Sequence, residues 1–157
     1  MIFLEKTVII LKPDAVNRAL CGKLIERFEE KGLKISGLKM MRLTKELLGQ
    51  HYAHHKAKPF FEELVKYMSS VPVIVIALEG NDAVAVVRKM VGVTLGREAE
   101  PGTMRGDYSM SNQNNLVHAS ATVEEAEIEV KRFFSANEVF DYSRADVDWI
   151  YSAAEKK

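Results

Sequence analysis

Residues 72–78, Pro-Val-Ile-Val-Ile-Ala-Leu, form the strongest strand signal in the chain. Residues 6–12, Lys-Thr-Val-Ile-Ile-Leu-Lys, read the same way, because a β-branched, apolar run suits a buried strand. Two such segments commit the chain to a sheet with covering helices.

The remaining periodicities supply those helices. Residues 19–31 read as a helix with Leu20, Leu24 and Phe28 on one face and Lys23, Arg27 and Lys31 on another. Gly32 is placed to stop it. Residues 33–43 read as a second strand whose alternation loosens around Gly37. Thr44 to about His55 and Phe60 to about Met68 read as two short helices split at Pro59. Asn81 or Asp82 is expected to cap a helix running to about Met90. Residues 92–115 show no sustained periodicity, and a loop that long inside a small domain is often functional. Leu116 to Ala119 suits a short strand, and Thr122-Val-Glu-Glu125 has the form of a capping box opening a helix to Phe134.

The resulting order is β-α-β, a helical pair, then β-α-β-α. Two β-α-β units with helices on one side of a mostly antiparallel sheet predict an α+β, ferredoxin-like βαββαβ sandwich. It carries an inserted helical pair and a C-terminal extension. A length of 157 residues suits a single domain over 1–157, and 47% hydrophobic residues allow a sizeable core without disulfides or metal. The one cysteine, Cys21, falls among apolar helix positions and reads as a buried small side chain in a reducing compartment.

The charge balance is 22 basic against 22 acidic residues, which argues against wholesale nucleic-acid binding. It leaves room for a local cationic pocket. The start lacks a signal-peptide layout, and no apolar stretch approaches the roughly 20 residues of a membrane span, so a cytoplasmic protein is expected.

Three segments carry candidate chemistry. His118 follows an apolar pair in Asn115-Leu-Val-His118-Ala-Ser120; near neutral pH one imidazole nitrogen can attack phosphorus if the other is held. Lys12 ends a buried strand ahead of Pro13-Asp14, at the sheet edge where a ligand can meet it. Arg105 sits between glycines in Pro101-Gly-Thr-Met-Arg105-Gly-Asp107, and a guanidinium matches phosphate oxygens. The cluster His51, His54 and His55 lacks the H-E-x-x-H pattern and reads as a solvated helix face. Neither a Walker loop nor the kinase H-R-D and D-F-G motifs are present.

Taken in order, these segments resemble the nucleoside diphosphate kinase family. The likeness runs from about Lys6 to about Tyr151. It rests on Lys12-Pro13-Asp14, His51-Tyr52, Lys58-Pro59-Phe60-Phe61, Val71-Pro72-Val73, Glu79-Gly80, Pro101-Gly102-Thr103 with Arg105-Gly106-Asp107, and Asn115-x-x-His118-Ala119-Ser120.

The resemblance implies transfer of the γ-phosphoryl group of a nucleoside triphosphate, typically ATP, to a diphosphate by a ping-pong mechanism. His118 resembles the phosphorylated nucleophile, Glu129 the carboxylate that orients it, and Ser120 the support for that carboxylate. Lys12, Tyr52, Arg88, Arg105 and Asn115 resemble groups that hold phosphates and ribose, and Thr94 a phosphate-contacting hydroxyl. Phe60 resembles the aromatic on which the base stacks, with Leu64 beside it. Mg²⁺ is expected on the substrate phosphates, with no metal held by the protein itself. A homo-oligomer is expected, a hexamer in preference to a tetramer, with no membrane and no nucleic acid required.

The chain departs from the family pattern at Ala121, where aspartate is common, at Thr94-Leu95-Gly96-Arg97, and in the polar run Ser111-Asn112-Gln113-Asn114. Gly96 is expected to add backbone freedom and loosen a subunit contact. Two other readings share the fold: a non-catalytic nucleotide-binding module, and an RNA-binding domain. The latter needs strand aromatics in a K/R-G-F-x-F pattern, whereas these strands carry aliphatics and methionines.

Overall fold

Strand β1 (Glu5–Leu11) lies inside a four-stranded sheet of order β2-β3-β1-β4, seen in a computed structural model that describes residues 4–156. The partners are β2 (Lys34–Met41), β3 (Val73–Gly80) and β4 (Val117–Ala119). Every pairing is antiparallel, with Ile9 opposite Ile76 across β1 and β3 and Ile10 opposite His118 across β1 and β4. The loosened alternation near Gly37 corresponds to a register shift between Ile35 and Gly37.

Helices cover both faces of this sheet, which corrects the expectation of one covered side. On one face α2 (Cys21–Glu30) and α5 (Ala83–Val91) bring Leu24, Phe28, Val87 and Val91 onto Ile9, Leu11, Ile76 and Leu78. On the other, α3 (Lys45–His51), α4 (Phe61–Met68) and α7 (Val123–Phe133) bring Leu48, Phe61, Val65, Met68 and Phe133 onto Val8, Ile10, Val73 and Val75. The physical reason lies in β1 and β3 themselves. A strand apolar at both odd and even positions needs cover on both faces. The inserted helical pair and α7 supply the second layer.

Several local expectations are sharpened. Pro13 does more than end β1: it opens the short helix α1 (Pro13–Asn17), where the fixed φ of proline suits the first helical position. Gly32 follows α2 with φ +98. Asp82 occupies the position before α5, but its side chain makes no capping bond; Glu5 Oε2 accepts from Val84 N instead, at 2.9 Å. Thr122 does cap α7, its Oγ1 accepting from Glu125 N at 3.1 Å. The loop 92–115 holds a 3₁₀ turn at Gly96–Glu98 and the helix α6 (Met104–Tyr108), too short to leave a periodic trace.

Within the chain, Gly96 is closely packed. A side chain there would place its Cβ 2.5 Å from the Ser109 carbonyl oxygen, so the glycine is required by close packing. Cys21 begins α2 and is only partly buried rather than a core residue. Beyond α7 the chain returns along β2, with Tyr142 Oη donating to Ile35 O at 2.6 Å, and ends in α8 (Val147–Ile150). No described helix is long and apolar enough to cross a membrane.

Candidate active site

His118 stands in the middle of β4, paired to β1 on one side and facing a cavity on the other. Its Nε2 lies 3.1 Å from both carboxylate oxygens of Glu129, on the buried face of α7. Ser120 Oγ donates to Glu129 Oε2 at 2.6 Å and accepts from Val8 N at 3.0 Å. The carboxylate is therefore anchored to the backbone of β1 through one hydroxyl. Burial works to raise the Glu129 pKa. The hydrogen bonds and charge supplied by His118, with Ser120 assisting, outweigh it and hold the carboxyl below its usual range.

A cavity of about 510 Å³ opens from His118 toward Lys12, Phe60, Leu64, Asn112 and Asn115. A second lobe of about 520 Å³ extends toward Arg88, Ala121, Glu125 and Arg132. Tyr52, His55, Thr94, Arg105 and His118 line both lobes. All the residues expected at the site thus border this connected space or, like Ser120, support a residue that does.

The cations are built in, not merely present. Lys12 Nζ donates to Asn115 Oδ1 and Gln113 O, each at 2.7 Å. Burial lowers its pKa to about 8, with the Asp14 charge opposing the change. Arg105 donates to the carbonyls of Asn115, Gly92 and Val117 at 3.1, 3.0 and 2.5 Å. Its guanidinium therefore braces three segments of the site besides offering charge. Burial, then repulsion from Arg88, depresses its pKa to about 10. Two guanidiniums that repel each other favour a polyanion between them. Asn115 Nδ2 reaches Thr94 O and Asn112 O, each at 2.9 Å, tying this loop to the one before it.

Phe60 is 44% exposed at the outer lip, so a ring face is available to a base. His55 packs against it at 5.1 Å between ring centres, and Lys58 lies over it at 5.7 Å.

His51 departs from the sequence expectation. It is not solvated; it is 6% exposed, with its ring edge-on to His118 at 4.4 Å. Its Nδ1 lies 3.2 Å from Arg132 Nη1 and 3.7 Å from Glu129 Oε1, and its Nε2 has no partner. Burial, then the His118 charge, lowers its pKa to about 3, so it is a neutral wedge behind His118. His51 falls three residues after Leu48 and so shares its face, but what covers that face at His51 is α7, which brings Glu129, Arg132 and Phe133 against the ring, a contact the spacing of α3 does not encode.

Donor atoms of His51, His118 and Glu129 lie within 4.8 Å of one another. The adjacent Arg132 guanidinium opposes a cation there, and both Glu129 oxygens already serve other groups. Magnesium prefers oxygen ligands. The polar side chains of the cavity walls are mostly imidazole, amide and cationic, with Glu125 and Glu129 the carboxylates among them.

A family model described as nucleoside diphosphate kinase matches residues 5–139. The chain is 54% identical over 152 residues to a nucleoside diphosphate kinase of Parabacteroides distasonis, covering 97% of this chain and 99% of that one. It is 51% identical over 150 residues to the Pyrococcus abyssi enzyme, covering 94% of each. The fold superposes with a TM-score of 0.91 on a halophilic nucleoside diphosphate kinase from Halobacterium salinarum in complex with CDP. That match is 43% identical and covers 94% of this chain and 98% of the other. The chain belongs to the nucleoside diphosphate kinase family, whose members transfer phosphoryl groups between nucleotides.

Proposed function

We propose that His118 carries the phosphoryl group in a ping-pong exchange, taking it from a nucleoside triphosphate and giving it to a nucleoside diphosphate. The observation that carries this reading is the commitment of His118 Nε2 to Glu129. Nδ1 is then the nitrogen with a lone pair for phosphorus.

In the first half-reaction the Nδ1–P bond forms as the bond from the γ-phosphorus to the bridging oxygen breaks, and the diphosphate leaves. Glu129, held by Ser120, offsets the positive charge that develops on the imidazole. Lys12, Arg88 and Arg105 offset the negative charge on the transferring group, a contribution expected to dominate catalysis. Tyr52, Asn115 and Thr94 hold ribose and phosphates. Phe60, with Leu64 beside it, takes the base by stacking, which tolerates any base because each has a π-face. The second half-reaction reverses these steps with a new diphosphate.

Magnesium, bound to the substrate phosphates, would neutralise oxygens of the transferring and leaving groups. We further assign the chain to a single domain over residues 1–157, a homo-oligomer with a hexamer favoured over a tetramer, and a cytoplasmic setting. Initial rates with varied ATP at several fixed diphosphate concentrations test the mechanism. Parallel double-reciprocal lines are expected; intersecting lines would require a ternary complex and exclude the carrier role.

A further inference from the structure

Leu116 is fully buried and has φ +73, a region that leucine rarely adopts. Val117 N donates to Asn115 O at 2.9 Å, closing a hydrogen bond around that single residue. This is the rare, strained form of the γ-turn. It lies between Asn115, which holds Lys12, and His118.

The turn is gripped from several directions. Asp14 Oδ2 accepts from Leu116 N at 3.0 Å, and Lys12 N donates to Leu116 O at 2.8 Å. Arg105 holds the carbonyls of Asn115 and Val117 on either side. Asp14 is only 9% exposed, and its other oxygen accepts from Tyr67 Oη. Strain of this kind persists only where the surroundings over-determine it.

We propose that Asp14, oriented by Tyr67, is a positioning residue for phosphoryl transfer: its carboxylate holds Leu116 in the γ-turn and so sets His118 against Lys12 and Arg105. The inference rests on the reading of His118 as phosphoryl carrier. Without the carboxylate, Leu116 relaxes toward negative φ and the peptide planes on both sides rotate. One plane carries Asn115, the anchor of Lys12; the other carries Val117, the anchor of Arg105 and the neighbour of His118. A single buried side chain that does not itself line the cavity thus keeps nucleophile and cations in one frame.

The test is rapid-quench phosphorylation of the full-length protein by γ-labelled ATP, with thermal melts establishing the folded fraction of each variant. Asp14→Ala is expected to slow labelling by roughly a hundredfold, the scale of a small misplacement of reacting groups. Asp14→Asn, which keeps an acceptor for the Leu116 amide, is expected to recover most of that loss. Adding Leu116→Gly to Asp14→Ala should restore labelling by roughly tenfold, because glycine accepts positive φ. Adding Leu116→Ala should not, although it leaves nearly the same cavity. Tyr67→Phe keeps the idea testable if Asp14→Ala fails to fold, and should give a smaller loss in the same direction. Wild-type labelling rates in folded Asp14→Ala, or in Tyr67→Phe where only that variant folds, would overturn the proposal, as would equal effects of the Gly and Ala replacements. Labelling of His118→Ala would instead remove the underlying carrier reading.

Discussion

Glu129 presents both carboxylate oxygens to His118 Nε2 at 3.1 Å. This makes the buried nitrogen the anchored one and fixes the tautomer by a charged acceptor. Glu129→Gln keeps the shape but removes the charge. Hydrogen bonds to charged groups contribute about 1.5–3 kcal/mol, so phosphorylation should slow by roughly 10–100-fold. Stopped-flow measurement of phosphoenzyme formation checks this; an unchanged rate would deny the carboxylate its role.

Ser120 supports that carboxylate and also satisfies the buried amide of Val8. Ser120→Ala leaves the Val8 N–H without its side-chain acceptor, at a stability cost of about 1–3 kcal/mol. Chemical denaturation should show this loss, and the acid limb of the rate–pH profile should move to higher pH as Glu129 loses a donor.

Lys12 has a pKa of about 8 in the folded protein, below its ordinary value of 10.5. The folded chain therefore binds fewer protons at Lys12 than the unfolded chain between those values. The destabilisation from burying its charge is present below pH 8 and is relieved as pH rises through that window. A bound polyphosphate favours the charged form, so nucleotide binding above pH 8 should take up a proton. Calorimetry at pH 8.5 in buffers of different ionisation enthalpy should detect the uptake, and Lys12→Met should abolish it.

His51 is neutral in the fold, with a pKa of about 3 against an ordinary 6.5. The unfolded chain gains a proton there first, so stability contributed by the neutral ring is lost as pH falls from 6.5 toward 3. His51→Gln should flatten the fall in denaturation midpoint between pH 7 and pH 5. An equally steep fall would place the acid sensitivity elsewhere.

Phe60 and His118 should separate binding from chemistry. Stacking contributes about 1–3 kcal/mol per base, so Phe60→Ala should weaken nucleotide binding with limited effect on kcat. His118→Ala should lower turnover by several orders of magnitude. An equal, modest loss in both variants would contradict a covalent intermediate.

Much of this was legible in the residues. The apolar strands at 6–12 and 72–78, the helix through Leu24 and Phe28, and the cap at Thr122 are local patterns, and local patterns leave a trace in sequence. His118, Lys12 and Arg105 were legible as candidates because each ends or interrupts a segment with chemistry of its own. Three features were not. His51 owes its burial to α7 packing from far along the chain. Asp14 and Leu116 meet across a separation of 102 positions. Gly96 is tight because Ser109 folds back onto it. Each depends on a contact that periodicity does not encode.

The most direct test of the carrier role is incubation with γ-labelled ATP, followed by denaturation and acid or base treatment. Wild-type protein should retain an acid-labile, base-stable label that discharges to added nucleoside diphosphate, and His118→Ala should retain none. No label on the wild type, or undiminished label on His118→Ala, would contradict the account.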